Sequence, residues 1–123
     1  MKYSVIVPVY NRPDEVDELL ESLCKQAFTD FEVLIIEDGS TCPCEEVCKK
    51  YEPFLDIKYL LKPNSGPGQT RNYGAERASG DYLIILDSDV VVPHDYFYEI
   101  EKELATSPAD AFGGPDRAHA SFT

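Results

Sequence analysis

The chain has 123 residues, 43% of them hydrophobic and 28% charged, which suits one domain with one core and argues against disorder. Its net charge of −12 repels phosphate backbones and anionic lipid, so nucleic acid and membrane surfaces are poor partners. A phosphorylated small molecule remains compatible only with a cation or well-aimed donors to offset the repulsion.

Tyr3 to Val9 is a short apolar run rich in valine and isoleucine, and reads as a strand buried on both faces. Asn11-Arg12-Pro13 breaks it. Pro13 suits a first helical position, and Asp14 and Glu15 suit the positive end of the helix dipole. Val16, Leu19, Leu20, Leu23, Cys24 and Ala27 then recur at helical spacing as one apolar stripe. Phe31 to Ile36 is a second buried strand, closed by Glu37-Asp38-Gly39-Ser40. Pro43 to Tyr51 is a short helix with acids early and lysines late.

Ile57 to Leu61 is a third strand, followed by a polar, glycine-rich loop from Lys62 to Gly68. Gln69 to Ala78 is a helix, with Gly80 as its stop signal. Tyr82 to Leu86 is a fourth strand, ending in Asp87-Ser88-Asp89. Pro93 and Asp95 open a last helix with Phe97, Ile100 and Leu104 on one face, and Ala111 to Gly114 begins a fifth strand. The alternation predicts an α/β domain, a mostly parallel sheet with helices on both faces.

The longest apolar runs are strand-sized, so no membrane segment is expected in this chain. Met1-Lys2-Tyr3 leads straight into a strand without the shape of a signal peptide, which makes the cytoplasm the expected compartment.

Ligands of open parallel sheets bind beyond the carboxyl ends of the strands, and the unusual polar residues collect there. Asp87 and Asp89, two apart where a buried strand gives way to a loop, offer hard oxygens suited to Mg²⁺ or Mn²⁺; the alternative is an acidic turn. Asn64-Ser65-Gly66-Pro67-Gly68 enters a helix that carries Arg71 and can aim amides at an anion, or is a plain loop and cap. It matches neither dinucleotide nor Walker fingerprints. Asp38 suits either a base N–H or the turn before Gly39, and Tyr10 suits either stacking on a base or packing on a helix. Cys42, Cys44 and Cys48 form a C-x-C-x3-C pattern; with no His nearby and Cys24 apart, all four read as reduced thiols rather than a zinc or redox site. His94 and His119 read as surface residues.

Taken together, four segments resemble glycosyltransferase family 2. Val5-Ile6-Val7-Pro8-Val9-Tyr10-Asn11-Arg12 resembles its opening strand, and Ile35-Ile36-Glu37-Asp38-Gly39-Ser40 its D-D-G-S segment. Asn64 through Gly74 with Ala78-Ser79-Gly80-Asp81-Tyr82 resembles its N-x-G…R-N-x-G…A-x-G-x-Y stretch, and Leu86-Asp87-Ser88-Asp89 its D-x-D. They stand in the family's order over nearly the whole chain. Glu37, Val90 and Gln69-Thr70 depart from the usual residues.

The resemblance implies the Rossmann-like, nucleotide-sugar-binding half of a GT-A fold and an inverting transfer from a nucleotide-diphosphate sugar, expected to be a UDP-sugar. The acceptor would be a carbohydrate or lipid-linked hydroxyl. Tyr10 would stack on the base, Asp38 bond its edge, and Arg71 lie near base or phosphates. Asp87 would hold the ribose and, with Asp89, the Mn²⁺ or Mg²⁺; Pro8, Asn11, Arg12 and Ser88 complete the binding set. Family members carry their catalytic base on a later segment. Residues 1–123 are therefore expected to be one truncated domain whose base lies beyond Thr123, Asp116 being too near the acidic pair to match it, with any membrane-associating part of the parent protein expected outside it. Two other readings are a non-catalytic nucleotide-sugar-binding module and a haloacid-dehalogenase-like phosphatase with Asp87 as nucleophile.

Overall fold

A computed structural model describes residues 2–106. The strand expected at 111–114, Asp116 and His119 lie outside the described residues. Four strands, β1 (Tyr3–Val9), β2 (Phe31–Asp38), β3 (Ile57–Lys62) and β4 (Tyr82–Ile85), alternate with α1 (Pro13–Cys24), α2 (Glu45–Tyr51), α3 (Pro67–Arg77) and α4 (Tyr96–Thr106). The sheet order is β3-β2-β1-β4, with every neighbouring pair parallel.

Strand periodicity sorts the side chains into two cores. Tyr3, Val5, Val7 and Val9 of β1 and Phe31, Val33 and Ile35 of β2 face one side, where α1, α2 and α4 contribute Val16, Leu19, Leu20, Leu23, Cys48, Phe97, Ile100 and Leu104. Ile6, Leu34 and Ile36 face the other, covered by α3 through Tyr73 and Ala75. Helices therefore cover both faces. Phe97 anchors α4, its ring stacked on Phe31 at 4.4 Å and on Phe28 at 5.5 Å. Only β1 and β2 are buried along their length; β3 and β4 flank them and are partly exposed, so the expectation of uniformly buried strands holds for the central pair alone.

Several element boundaries differ from the sequence reading by one to three residues, α2 starting at Glu45 and α4 at Tyr96, and three differences bear on packing. Helix α1 stops at Cys24, where Lys25 and Gln26 N–H groups bond Ser22 and Leu23 carbonyls. Ala27 is thereby exposed, and Gln26 is buried in its place, its amide donating to the Ser22 and Pro93 carbonyls. Helix α3 starts two residues early because Pro67 needs no N–H partner at a first helical position. Gly80 is not a left-handed helix stop. It sits against β1, where an added Cβ would lie 2.7 Å from Ser4 N, and its N–H donates to Ser4 Oγ.

The site follows from the connections. The chain steps from β1 to β2 to β3 with α1 and α2 on one face, then crosses back by α3 on the other face to lay β4 beside β1. The reversal leaves the β1/β4 boundary as the topological switch point. β1 runs to Val9 while β4 ends at Ile85, opposite Ile6. Pro8 faces the side that β4 has vacated, as Ile6 faces β4 through its carbonyl's bond from Leu86 N, so its missing N–H costs no ladder bond.

Candidate functional site

Beyond that boundary lies an open cleft of about 340 Å³, lined by Pro8, Arg12, Glu15, Arg71, Asp87, Ser88 and Asp89. Six of these were expected from the sequence, and four elements deliver them: the end of β1, the start of α1, the first turns of α3 and the turn after β4. Arg12 and Arg71 line the same space as Asp87 and Asp89 of the D-x-D turn. Glu15 is the seventh, and sequence reasoning assigned it only to the helix dipole. It lies 3.4 Å from Arg12 Nε and accepts the Ser88 hydroxyl at 3.2 Å. Its early position in α1 was the one sequence signal available, and that signal says nothing about a residue 73 positions away.

Tyr10, Asn11 and Asp38 do not line this cleft. Tyr10 follows β1 with half its surface exposed. Asn11 adopts φ 54°, and its side-chain oxygen accepts the N–H groups of Thr41 at 2.7 Å and Cys42 at 2.8 Å. Its own N–H donates to Ser40 Oγ, which donates to Glu37 at 2.6 Å. Asn11 thus clips the loop after β1 to the loop after β2, and it also lines a recess beside the cleft with Arg12, Pro13, Asp14 and Glu15. Glu37 is fully buried and also takes bonds from Tyr59 OH and Cys44 N–H, so it is a hub of this clip. A charged residue at the inner end of a buried strand was the available hint.

Asp38 turns toward the glycine loop. Its Oδ1 accepts Ser65 N–H at 2.8 Å and Lys62 Nζ at 3.1 Å, and its Oδ2 accepts Gly66 N–H at 3.0 Å. Burial alone would raise its pKa, but the Ser65 amide, the Lys62 ammonium and the Gly66 amide outweigh it and hold the carboxyl below its usual range. Lys62 is itself nearly sealed, with further bonds to Pro63 O and Ser65 Oγ. Asn64 Nδ2 donates to the Asp38 carbonyl, and Gly39, at φ 73°, leaves no room for a Cβ, which would lie 2.8 Å from Asn64 N. Asp38 therefore locks the loop after β3 to the end of β2.

Cys44 and Cys48 are buried in the main core, Cys24 is half-buried and Cys42 exposed, all as free cysteines. A hydrogen bond with Cys48, burial and the charge of Glu37 all push the Cys44 thiol up, so it is protonated at neutral pH. Among the described residues no group of three His, Cys, Asp or Glu is arranged to hold a metal. His94 is exposed and lines a separate recess of about 360 Å³ with Glu18, Glu21, Ser22, Lys25, Val91 and Val92, away from the strand ends.

The family model for glycosyl transferase family 2 matches residues 4–120. The chain belongs to this family. Among family relatives, an uncharacterized glycosyltransferase of Rickettsia bellii is 41% identical over 84% of this chain and 14% of its own length. The poly(ribitol-phosphate) beta-N-acetylglucosaminyltransferase TarS of Staphylococcus aureus is 44% identical over 72% of this chain and 16% of its own. The chain thus spans about a sixth or less of the length of these relatives. A crystal structure of S. aureus TarS in complex with UDP-GlcNAc superposes with a TM-score of 0.80 at 36% identity, over 86% of this chain and 32% of that one. The parallel sheet and its helices are those of a GT-A fold, as the sequence resemblance implied. Membership in a glycosyltransferase family leaves the phosphatase reading of Asp87 without support. Among the described residues no helix is long and apolar enough to cross a membrane.

Proposed function

We propose that this domain holds a nucleotide-diphosphate sugar, a UDP-sugar such as UDP-GlcNAc, for inverting transfer of the sugar to a hydroxyl of a carbohydrate or lipid-linked acceptor. The observation that carries the reading is the convergence of Asp87, Asp89, Arg12 and Arg71 on one cleft at the switch point. The likeness to a protein solved with UDP-GlcNAc supports the choice of nucleotide.

The half-exposed Tyr10 ring offers a face for the base. Asp38 Oδ2 accepts a single amide and retains acceptor capacity for a base N–H. Asn11, whose oxygen is already committed to two amides, serves by holding the loop that follows Tyr10. Arg12 and Arg71 offset the diphosphate charge that a protein at −12 would otherwise repel. Asp87 and Asp89 suit Mn²⁺ or Mg²⁺, because such ions take one or two protein carboxylates and complete their shell with water and substrate phosphates. The ion, when bound, stabilises the departing nucleoside diphosphate. No described residue is assigned as the base that deprotonates the acceptor; we assign that role to a carboxylate outside them.

Calorimetric titration of UDP and UDP-GlcNAc with Mn²⁺ and with EDTA tests the reading. Asp89→Asn is expected to weaken Mn²⁺-dependent binding by about tenfold or more, since even outer-shell partners of a metal are worth 10–100-fold. Equal affinity in Mn²⁺ and EDTA, or an undiminished Asp89→Asn variant, counts against it.

A further inference from the structure

The first turn of α1 carries two acids, Asp14 and Glu15, and the helix dipole favours both. The tertiary structure distinguishes them. Asp14 is exposed and outside the cleft lining, whereas Glu15 reaches into the cleft and uses one oxygen, Oε1, twice: toward Arg12 Nε and as acceptor of the Ser88 hydroxyl. Ser88 is the middle residue of the acidic turn. That turn has one weak backbone bond of its own, from Val90 N–H to the Asp87 carbonyl at 3.3 Å. The Glu15–Ser88 contact therefore ties a short turn, which carries both carboxylates, to a helix whose other face is packed in the core.

We propose that Glu15 is a positioning residue of the donor site: through Ser88 it sets the Asp87-Ser88-Asp89 turn, and through Arg12 it sets the facing cation. The inference rests on the donor-binding reading above. Anchoring the middle residue restricts rotation of the two peptide units that carry the flanking carboxylates, so Asp87 and Asp89 meet an incoming ion and diphosphate with less ordering left to do. Glu15 also adds negative charge to the cleft. Its contribution is accordingly favourable when a cation accompanies the diphosphate and unfavourable when none does.

This dual effect makes the role measurable. Glu15→Ala and Ser88→Ala are each expected to weaken UDP binding in Mn²⁺ by about fivefold, as loss of a partly exposed hydrogen bond does. The double variant should be within about twofold of either single one, because both remove the same contact. In EDTA, Glu15→Ala should bind UDP at least as well as the unsubstituted chain, so the ratio of affinities with and without Mn²⁺ falls. Glu15→Gln, whose amide oxygen still accepts the Ser88 hydroxyl, should recover most of the Mn²⁺-dependent affinity. Multiplicative losses in the double variant, equal losses in Mn²⁺ and EDTA, or no recovery in Glu15→Gln would each overturn the inference while leaving the donor site standing. Absence of Mn²⁺-dependent UDP binding by the unsubstituted chain would overturn both.

Discussion

Replacing Asp38 by asparagine keeps the shape of the side chain and changes only its charge and one acceptor. Asp38 is 6% exposed, and its carboxylate receives Ser65 N–H, Gly66 N–H and the Lys62 ammonium. An asparagine oxygen can keep one of the two amides. Its NH₂ then confronts the other, leaving a part-buried N–H unpaired and Lys62 without its anion. A charge-assisted bond of this kind is worth about 1.5–3 kcal/mol, and an unpaired buried donor costs about 1–3 kcal/mol. Lys62 retains Pro63 O and Ser65 Oγ, which offsets part of the loss. The expected destabilisation is about 3 kcal/mol at neutral pH. Urea unfolding followed by circular dichroism, with parent and variant sharing one m-value, measures it. The sign with pH is fixed by the depressed carboxyl. Its stabilisation is present above the ordinary aspartate range and is lost as pH falls through the lower folded value, so the gap between parent and variant should close on acidification. A gap under about 1 kcal/mol at pH 7, or one that widens in acid, would refute this account of the glycine loop.

Two further outcomes follow from the same geometry. Burial works against the Glu32 charge, but Lys58, Ser4 and Ser79 together hold its carboxyl down to about 2 from 4.5. Its contribution, about 3 kcal/mol from that shift, should be complete above pH 4.5 and vanish as pH falls toward 2, and Glu32→Gln should flatten that acid limb in denaturation curves taken between pH 2 and 6. Gly39→Ala should cost about 2 kcal/mol or more by thermal or urea unfolding, since φ 73° is strained for alanine and the new methyl meets Asn64 backbone; a neutral result would show that the loop after β3 can move aside.

The central strands were legible because Val5, Ile6 and Val7, and Val33, Leu34, Ile35 and Ile36, are apolar on consecutive positions, which two-sided burial explains. The outer strands were read too generously. Lys58 sits within β3 because its ammonium reaches the buried Glu32 at 2.8 Å, a partner that strand periodicity does not reveal. The site divides the same way. Spacing at a strand end marked Asp87 and Asp89, which line the cleft, while the bonds that Asp38 accepts from the glycine loop beside it were not visible in the sequence.

The sequence by itself therefore determined the element order, the parallel sheet, the family and the strand ends where the candidate site residues gather. Periodicity, turn residues and motif order are local properties of the chain, and they survive in one dimension. Only the tertiary structure decided which strand-end residues share a space. Arg12, Glu15, Arg71 and Asp87 to Asp89 meet because the return crossover through α3 lays β4 beside β1, and because β4 ends three residues short of its neighbour. Asn11, Glu37 and Asp38 also brace the loops around that space, through hydrogen bonds spanning from 3 to 31 residues of sequence. Such pairings depend on how far each strand runs and on which face its next side chain emerges, and both are settled by packing across the sheet.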